Sequence, residues 1–141
     1  MDIRQLTPRF YVAPQISPED IPSIAEAGIQ LIICNRPDFE VPPSHQASAL
    51  ENAATEAGLM FAVQPLTHQT MVPEVIEANR TLAEECEGAT LAYCASGTRS
   101  TIAWALGAAK DMPIDDIIQA ARNAGYDLAN LRQTLQAASR L

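Results

Sequence analysis

Residues 89–100 read Ala89-Thr90-Leu91-Ala92-Tyr93-Cys94-Ala95-Ser96-Gly97-Thr98-Arg99-Ser100. Ala89 to Tyr93 is apolar, as suits a buried parallel strand. Cys94 to Arg99 is built from small residues and predicts a loop. Ser100 to Lys110 predicts a helix. A strand that turns through small residues into a helix points its backbone N–H groups inward, which makes an anion cradle.

Working outward, the same alternation recurs. Arg9 to Ala13 is β-branched and aromatic and predicts a short strand. Ser17-Pro18-Glu19-Asp20 looks like a helix start, with a capping serine, a proline at the first turn and two carboxylates. Ile29 to Asn35 is nearly all apolar and predicts a strand buried on both faces. Ser44 to Ala57 predicts a helix with Ala47, Leu50, Ala54 and Ala57 inward. Leu59 to Val63 is a further strand. Pro73 opens a helix whose apolar side is Val75, Ile76, Ala78, Leu82 and Cys86, and two final helices carry Ile117 and Leu135. Strands separated by helices of about 12 residues imply right-handed βαβ units. The expected fold is α/β, one domain over residues 1–141, with a parallel sheet flanked by helices and a helical C-terminal tail. Ligands of such sheets bind at the carboxyl ends of the strands. Three loops lie there: residues 36–38, 66–72 and 94–99.

Composition narrows the function. Nine basic and 17 acidic side chains give the 141 residues a net charge of −8. That balance disfavours nucleic acid and anionic membrane, which need a positive field. No apolar run approaches the ~20 residues of a spanning helix, and no signal-peptide layout opens the chain. Cys34, Cys86 and Cys94 are odd in number and far apart, which fits neither a disulfide framework nor a zinc site. His45 and His68 add no ligand spacing. The expectation is a reduced, cytoplasmic protein without metal or cofactor.

The loop carries the chemistry. Gly97 permits a positive φ, Ser96, Thr98 and Ser100 offer hydroxyls, and Ala95 leaves room. Arg99 brings a planar cation that matches oxyanions. Cys94, at the strand end, faces the same cradle, where the helix start and Arg99 would favour its thiolate. The prediction is an activated nucleophile facing a bound anion. The bland alternative is a small buried cysteine beside a surface arginine.

Cysteine phosphatases place five residues between Cys and Arg, whereas four separate Cys94 from Arg99. The shorter loop resembles that of rhodanese sulfurtransferases, in which the cysteine carries a persulfide sulfur. Leu6-Thr-Pro-Arg-Phe-Tyr-Val12, Gln15-Ile-Ser-Pro-Glu-Asp20, Ala27-Gly-Ile29, Asn35-Arg-Pro-Asp38 and the Cys94 loop, in that order, resemble the phosphatase-like domain of the beta-lactamase-hydrolase-like proteins. The resemblance covers Thr7 to about Leu106. It implies a dual-specificity or tyrosine-phosphatase-like sheet, with a rhodanese-like sheet as the alternative. It also implies a partner or fused enzyme of metallo-beta-lactamase fold that handles persulfides.

Three activities remain open. The first is a sulfurtransferase that moves a sulfane sulfur from a small anionic donor through Cys94 to a thiol acceptor. The second is a phosphatase acting on a phosphoester through a phosphocysteine. The third is a non-catalytic module that senses an anion or redox state. A phosphatase of this fold needs a general acid, usually an Asp, yet Pro65 to Glu74 contains none. His68 or Glu74 could protonate a leaving group there, but His68 equally suits a surface loop and Glu74 a helix start. Arg36 either adds a second cation for the anion or pairs with Asp38 as a turn residue. Cys34 and Cys86 suit core packing, with a resolving role for Cys94 as the other reading. Trp104 is the expected core anchor of its helix.

Overall fold

The computed structural model describes residues 1–140. Five strands form one sheet: β1 (Arg4–Thr7), β2 (Phe10–Ala13), β3 (Ile29–Cys34), β4 (Met60–Val63) and β5 (Ala89–Tyr93). Their order across the sheet is β1-β2-β5-β3-β4. β2, β5, β3 and β4 run parallel, whereas β1 pairs antiparallel with β2. The parallel sheet expected from the sequence is present in these four strands, and β1 adds an antiparallel edge that makes the whole sheet mixed. Only Leu6 of β1 is buried, so the segment lacks the apolar run of a central strand. Pro8-Arg9 is too short to hold a crossover helix, so β1 must turn back on β2 as a hairpin.

Among the described residues six helices cover the two faces: α1 (Ile21–Glu26), α2 (Ala47–Glu56), α3 (Pro73–Glu85), α4 (Thr98–Ala108), α5 (Ile114–Asn123) and α6 (Arg132–Ala138). On one face Ile21 and Ile24 of α1 and Leu50 of α2 pack with Ile32, Leu91 and Tyr93. On the other, Ala105 of α4, Ile117 of α5 and Leu135 of α6 pack with Val12, Leu31, Ile33 and Ala92. Each fully buried Ile or Leu contributes roughly 1.5–3 kcal/mol. The middle strands are thus buried on both sides, which is why their sequences run apolar without alternation. No described helix is long and apolar enough to cross a membrane.

Two helix starts move later in the chain, and α4 begins earlier than expected, at Thr98 instead of Ser100. Pro18–Asp20 form only a 3₁₀ turn and α1 begins at Ile21, while the Asp20 carboxylate accepts from the Ser17 N–H at 3.0 Å and its hydroxyl at 3.1 Å. Residues 43–45 likewise form a 3₁₀ turn, and α2 begins at Ala47, whose N–H donates to Asp38 Oδ1 at 2.8 Å. Trp104 is corrected from core anchor to wall. It is only partly buried, and with Phe10, Arg80 and Met112 it lines a cavity of about 230 Å³. The buried residues of α4 are small ones, Ala103 and Ala105, which bring that helix close to the sheet.

Candidate active site

β5 and α4 meet at the loop 94–97, at the carboxyl ends of the parallel strands. Gly97 adopts φ +94°, a left-handed conformation that glycine takes without a Cβ penalty. This turn aims the Gly97 N–H at Cys94 Sγ, 3.1 Å away. Gly97 is the N-cap of α4, so this donor sits at a helix N-terminus, a position that suits a bound anion. Cys94 is fully buried. Ala95, Ser96 and Thr98 are exposed around it. The Ser96 hydroxyl donates to Thr98 Oγ1 at 2.9 Å, and the Thr98 N–H returns to Ser96 Oγ at 3.4 Å.

The loop is pinned on three sides. The Tyr126 hydroxyl donates to the Ser96 carbonyl at 3.0 Å. The Gln15 N–H donates to the Ala95 carbonyl at 3.2 Å. Beneath α4, Ser100 Oγ donates to Asn35 Oδ1 at 2.8 Å. Asn35 Nδ2 in turn donates to the Gln64 carbonyl and to Asn79 Oδ1, each at 2.9 Å. Asn79 Nδ2 closes the chain on the Val75 carbonyl at 2.8 Å. Buried amides satisfied in this way hold β3, β4, α3 and α4 in one register.

Arg99 faces an acid that the sequence reading missed. Its Nη1 donates to Glu40 Oε2 at 2.9 Å and its Nη2 to Glu40 Oε1 at 2.8 Å. Nη1 also donates to the Leu66 carbonyl at 2.8 Å. Arg36 grips the same carboxylate, with Nε on Glu40 Oε1 at 3.1 Å and Nη1 on Gln15 Oε1 at 3.3 Å. Arg99 first, and then Arg36, hold the Glu40 carboxyl below its ordinary range against the opposing effect of burial. The end fork of Arg99 is thus taken, while its Nε makes no hydrogen bond among the described residues. Its side edge, Nε with the outer Nη2 proton, is the part left for an anion.

Of the predicted residues, the structure brings together Cys94, Ala95, Ser96, Gly97, Thr98, Arg99, Ser100 and Arg36. Ser100 is corrected: it is buried and serves the Asn35 network, so its hydroxyl is not offered to an anion in the cradle. Arg36 pairs with Glu40, one helical turn on, and not with Asp38. His68 is exposed and takes no part in these hydrogen bonds; the 66–72 loop enters the site through the Leu66 carbonyl. Glu74 is exposed at the start of α3. Cys34 pairs in register with Tyr93 and packs on the α1–α2 face, whereas Cys94 turns toward the start of α4. Burial pushes the Cys34 thiol up. Cys86 is buried beyond α3, before β5 begins, at the far end of the strand from Cys94. Cys86 is therefore not placed to resolve Cys94. Among the described residues no cluster of His, Cys, Asp or Glu is placed to hold a metal.

Glu40, Asn35, Asn79, Gln15 and Tyr126 were not identified as site residues from the sequence. A polar Asn at the end of an apolar strand is the one signal that could have flagged Asn35. The acid four residues after Arg36 is a weaker hint for Glu40.

Residues 2–111 match the family described as the beta-lactamase hydrolase-like protein, phosphatase-like domain. A beta-lactamase hydrolase-like protein of Agrobacterium fabrum is 31% identical over 134 residues, which are 94% of this chain and 31% of that protein. One from Xylella fastidiosa is 29% identical over 91% of this chain and 30% of its own length. The chain therefore spans about a third of these relatives. Among solved structures, a candidate phosphatase from Neisseria meningitidis is 37% identical, with a TM-score of 0.85 over 98% of this chain and 99% of that one. PTPMT1 in complex with PI(5)P shares the fold alone, at 13% identity and a TM-score of 0.75, over 99% of this chain and 96% of that one.

Proposed function

The chain belongs to the family of the beta-lactamase hydrolase-like protein, phosphatase-like domain, and from that premise we propose that it is a thiol-dependent sulfurtransferase built on a phosphatase-like fold. One observation carries the choice of sulfur: the cradle closes over only four residues between Cys94 and Arg99, with the Gly97 N–H on the sulfur and the neighbouring Glu40 carboxylate taken up by Arg99 and Arg36. The Cys94 thiolate attacks the outer sulfur of a donor such as thiosulfate. The S–S bond of the donor breaks, and sulfite leaves with the electron pair. Cys94 keeps the sulfur as an anionic persulfide. Arg99 and the loop amides hold the donor's oxygens, and the same N–H groups then face the persulfide. A thiol acceptor takes the terminal sulfur and regenerates the thiolate. Sulfite needs no proton to depart, so the reaction requires no general acid.

The second reading is a phosphatase, with Cys94 forming a phosphocysteine. The comparisons favour it over sulfur transfer, because the family description and the Neisseria relative both carry the phosphatase name. Against it stands the 66–72 loop, which offers no Asp and whose His68 is exposed. The partners we propose are a small anionic donor and a thiol acceptor, with a persulfide-handling enzyme of metallo-beta-lactamase fold downstream. The test is cyanolysis. Thiosulfate with cyanide should yield thiocyanate, and Cys94→Ser should abolish it. Hydrolysis of an aryl phosphate, blocked by vanadate and without any thiocyanate, would establish the phosphatase reading instead.

A further inference from the structure

We propose that Glu40 sets the charge of the substrate the site accepts, so that the cradle selects singly charged donors over doubly charged ones. The inference rests on the anion-binding role given to the loop above, and it adds the charge class of the ligand.

The observation is the placement of one carboxylate between two guanidinium groups. Glu40 receives Arg99 through both Nη atoms and Arg36 through Nε. Arg36 and Arg99 are the cations gathered at the loop, so with Glu40 the three side chains carry a net charge of +1. A Cys94 thiolate brings the set to zero. A dianion entering the cradle meets no net attraction from these groups, and the part of that sum that comes from Glu40 opposes it. A monoanion of the same shape meets half of that opposition. Hydrogen bonding to the free Nε edge of Arg99 and to the loop N–H groups is the same for both. Charge is therefore what separates them, and it acts where all four groups are buried or partly buried and screening is weak.

The position of Glu40 is built rather than incidental. It ends the 3₁₀ turn Asp38–Glu40 that follows β3, and the Asp38 carboxylate anchors that turn to the first N–H of α2. Arg36 Nη2 also reaches the Glu40 carbonyl at 3.4 Å. Arg36 thus braces the acid in place, while Arg99 is shared between it and the anion. Among sulfane donors, thiosulfate is a dianion, whereas an organic thiosulfonate or persulfide carries one charge on its reacting end. The inferred class is the second.

The test compares two tetrahedral oxyanions of similar size that carry two charges and one: sulfate and methanesulfonate, in which a methyl group replaces one oxygen, so the reading rests on how each variant shifts their ratio. Each protects Cys94 from alkylation by iodoacetamide at constant ionic strength, and peptide mass mapping reads the rate at Cys94. Wild type should be protected better by methanesulfonate than by sulfate. Glu40→Gln should shift the ratio of the two affinities by about tenfold toward sulfate, the size expected for one partly screened charge. Arg36→Gln should shift it the opposite way. Opposite movements of the ratio are not produced by simple loss of structure, which lowers both affinities together. Equal weakening by both anions in both variants, or an unchanged ratio, overturns the proposal. Protection by sulfate and methanesulfonate alike in wild type also overturns it, while leaving the anion-binding role intact. No protection by either anion removes that role and this inference with it.

Discussion

The sharpest structural prediction concerns Gly97 and Tyr126. A Cβ placed on Gly97 would meet Tyr126 Oη at 2.1 Å and Cζ at 2.9 Å. Real Cβ atoms do not approach so closely, so Gly97→Ala must push the tyrosine ring away or flatten the turn. The left-handed φ of +94° adds a backbone penalty of about 1–2 kcal/mol for any residue with a Cβ. Displacing Tyr126 forfeits its hydrogen bond to the Ser96 carbonyl, worth about 1 kcal/mol. Gly97→Ala should therefore destabilise the protein by about 3 kcal/mol. Urea denaturation of four proteins measures this: wild type, Gly97→Ala, Tyr126→Phe and the double variant. Tyr126→Phe alone should cost about 1 kcal/mol, the value of its hydrogen bond. In the Gly97→Ala background the same change should cost nothing or restore stability, because it removes the nearest clashing atom. The coupling energy should exceed about 1 kcal/mol, well beyond the scatter of additive pairs. Additive costs would refute the claim that the two residues share one space.

Further outcomes follow from the same geometry. Asn35→Ala should cost about 2–3 kcal/mol in chemical denaturation, because Ser100, Asn79 and the Gln64 carbonyl each lose a buried partner. The Glu40 carboxyl is held below its ordinary value of 4.5, so its stabilising effect is full above that pH and is lost as pH falls through the lowered value. Thermal melts across the acid range should show wild type losing this increment and Glu40→Gln showing a flatter profile. Peroxide treatment should yield no intramolecular disulfide between Cys34 and Cys94 in non-reducing peptide maps, since Cys34 packs among the residues of the α1–α2 face while Cys94 Sγ is held by the Gly97 N–H at the start of α4.

Much of this fold was legible because the central strands carry their burial in plain view. Ile29 to Cys34 is apolar but for Gln30 and Ala89 to Tyr93 but for Thr90, and both became strands covered on two faces. β1 was not legible. An edge strand of Arg-Gln-Leu-Thr has no periodic signal, and its pairing is decided by the two-residue turn that follows. The nucleophile loop could be found because its chemistry is local: cysteine, glycine and arginine fall within six residues at a strand-to-helix junction. Its partners could not, because Glu40, Asn79 and Tyr126 arrive from distant segments, and only the tertiary fold sets their distances. The strand order adds to this. β5 lies between β2 and β3, so the loops after three non-sequential strands converge on Cys94.

The central claim is that Cys94 accepts sulfur, and intact-mass analysis after brief exposure to a thiosulfonate tests it most directly. Wild type should gain about 32 Da, one sulfur atom, mapped to Cys94 and removed by cyanide. Cys94→Ser should gain nothing. A wild-type thiol that takes up no sulfur from thiosulfonate or thiosulfate, yet traps a phosphoryl group from an aryl phosphate, would contradict the account.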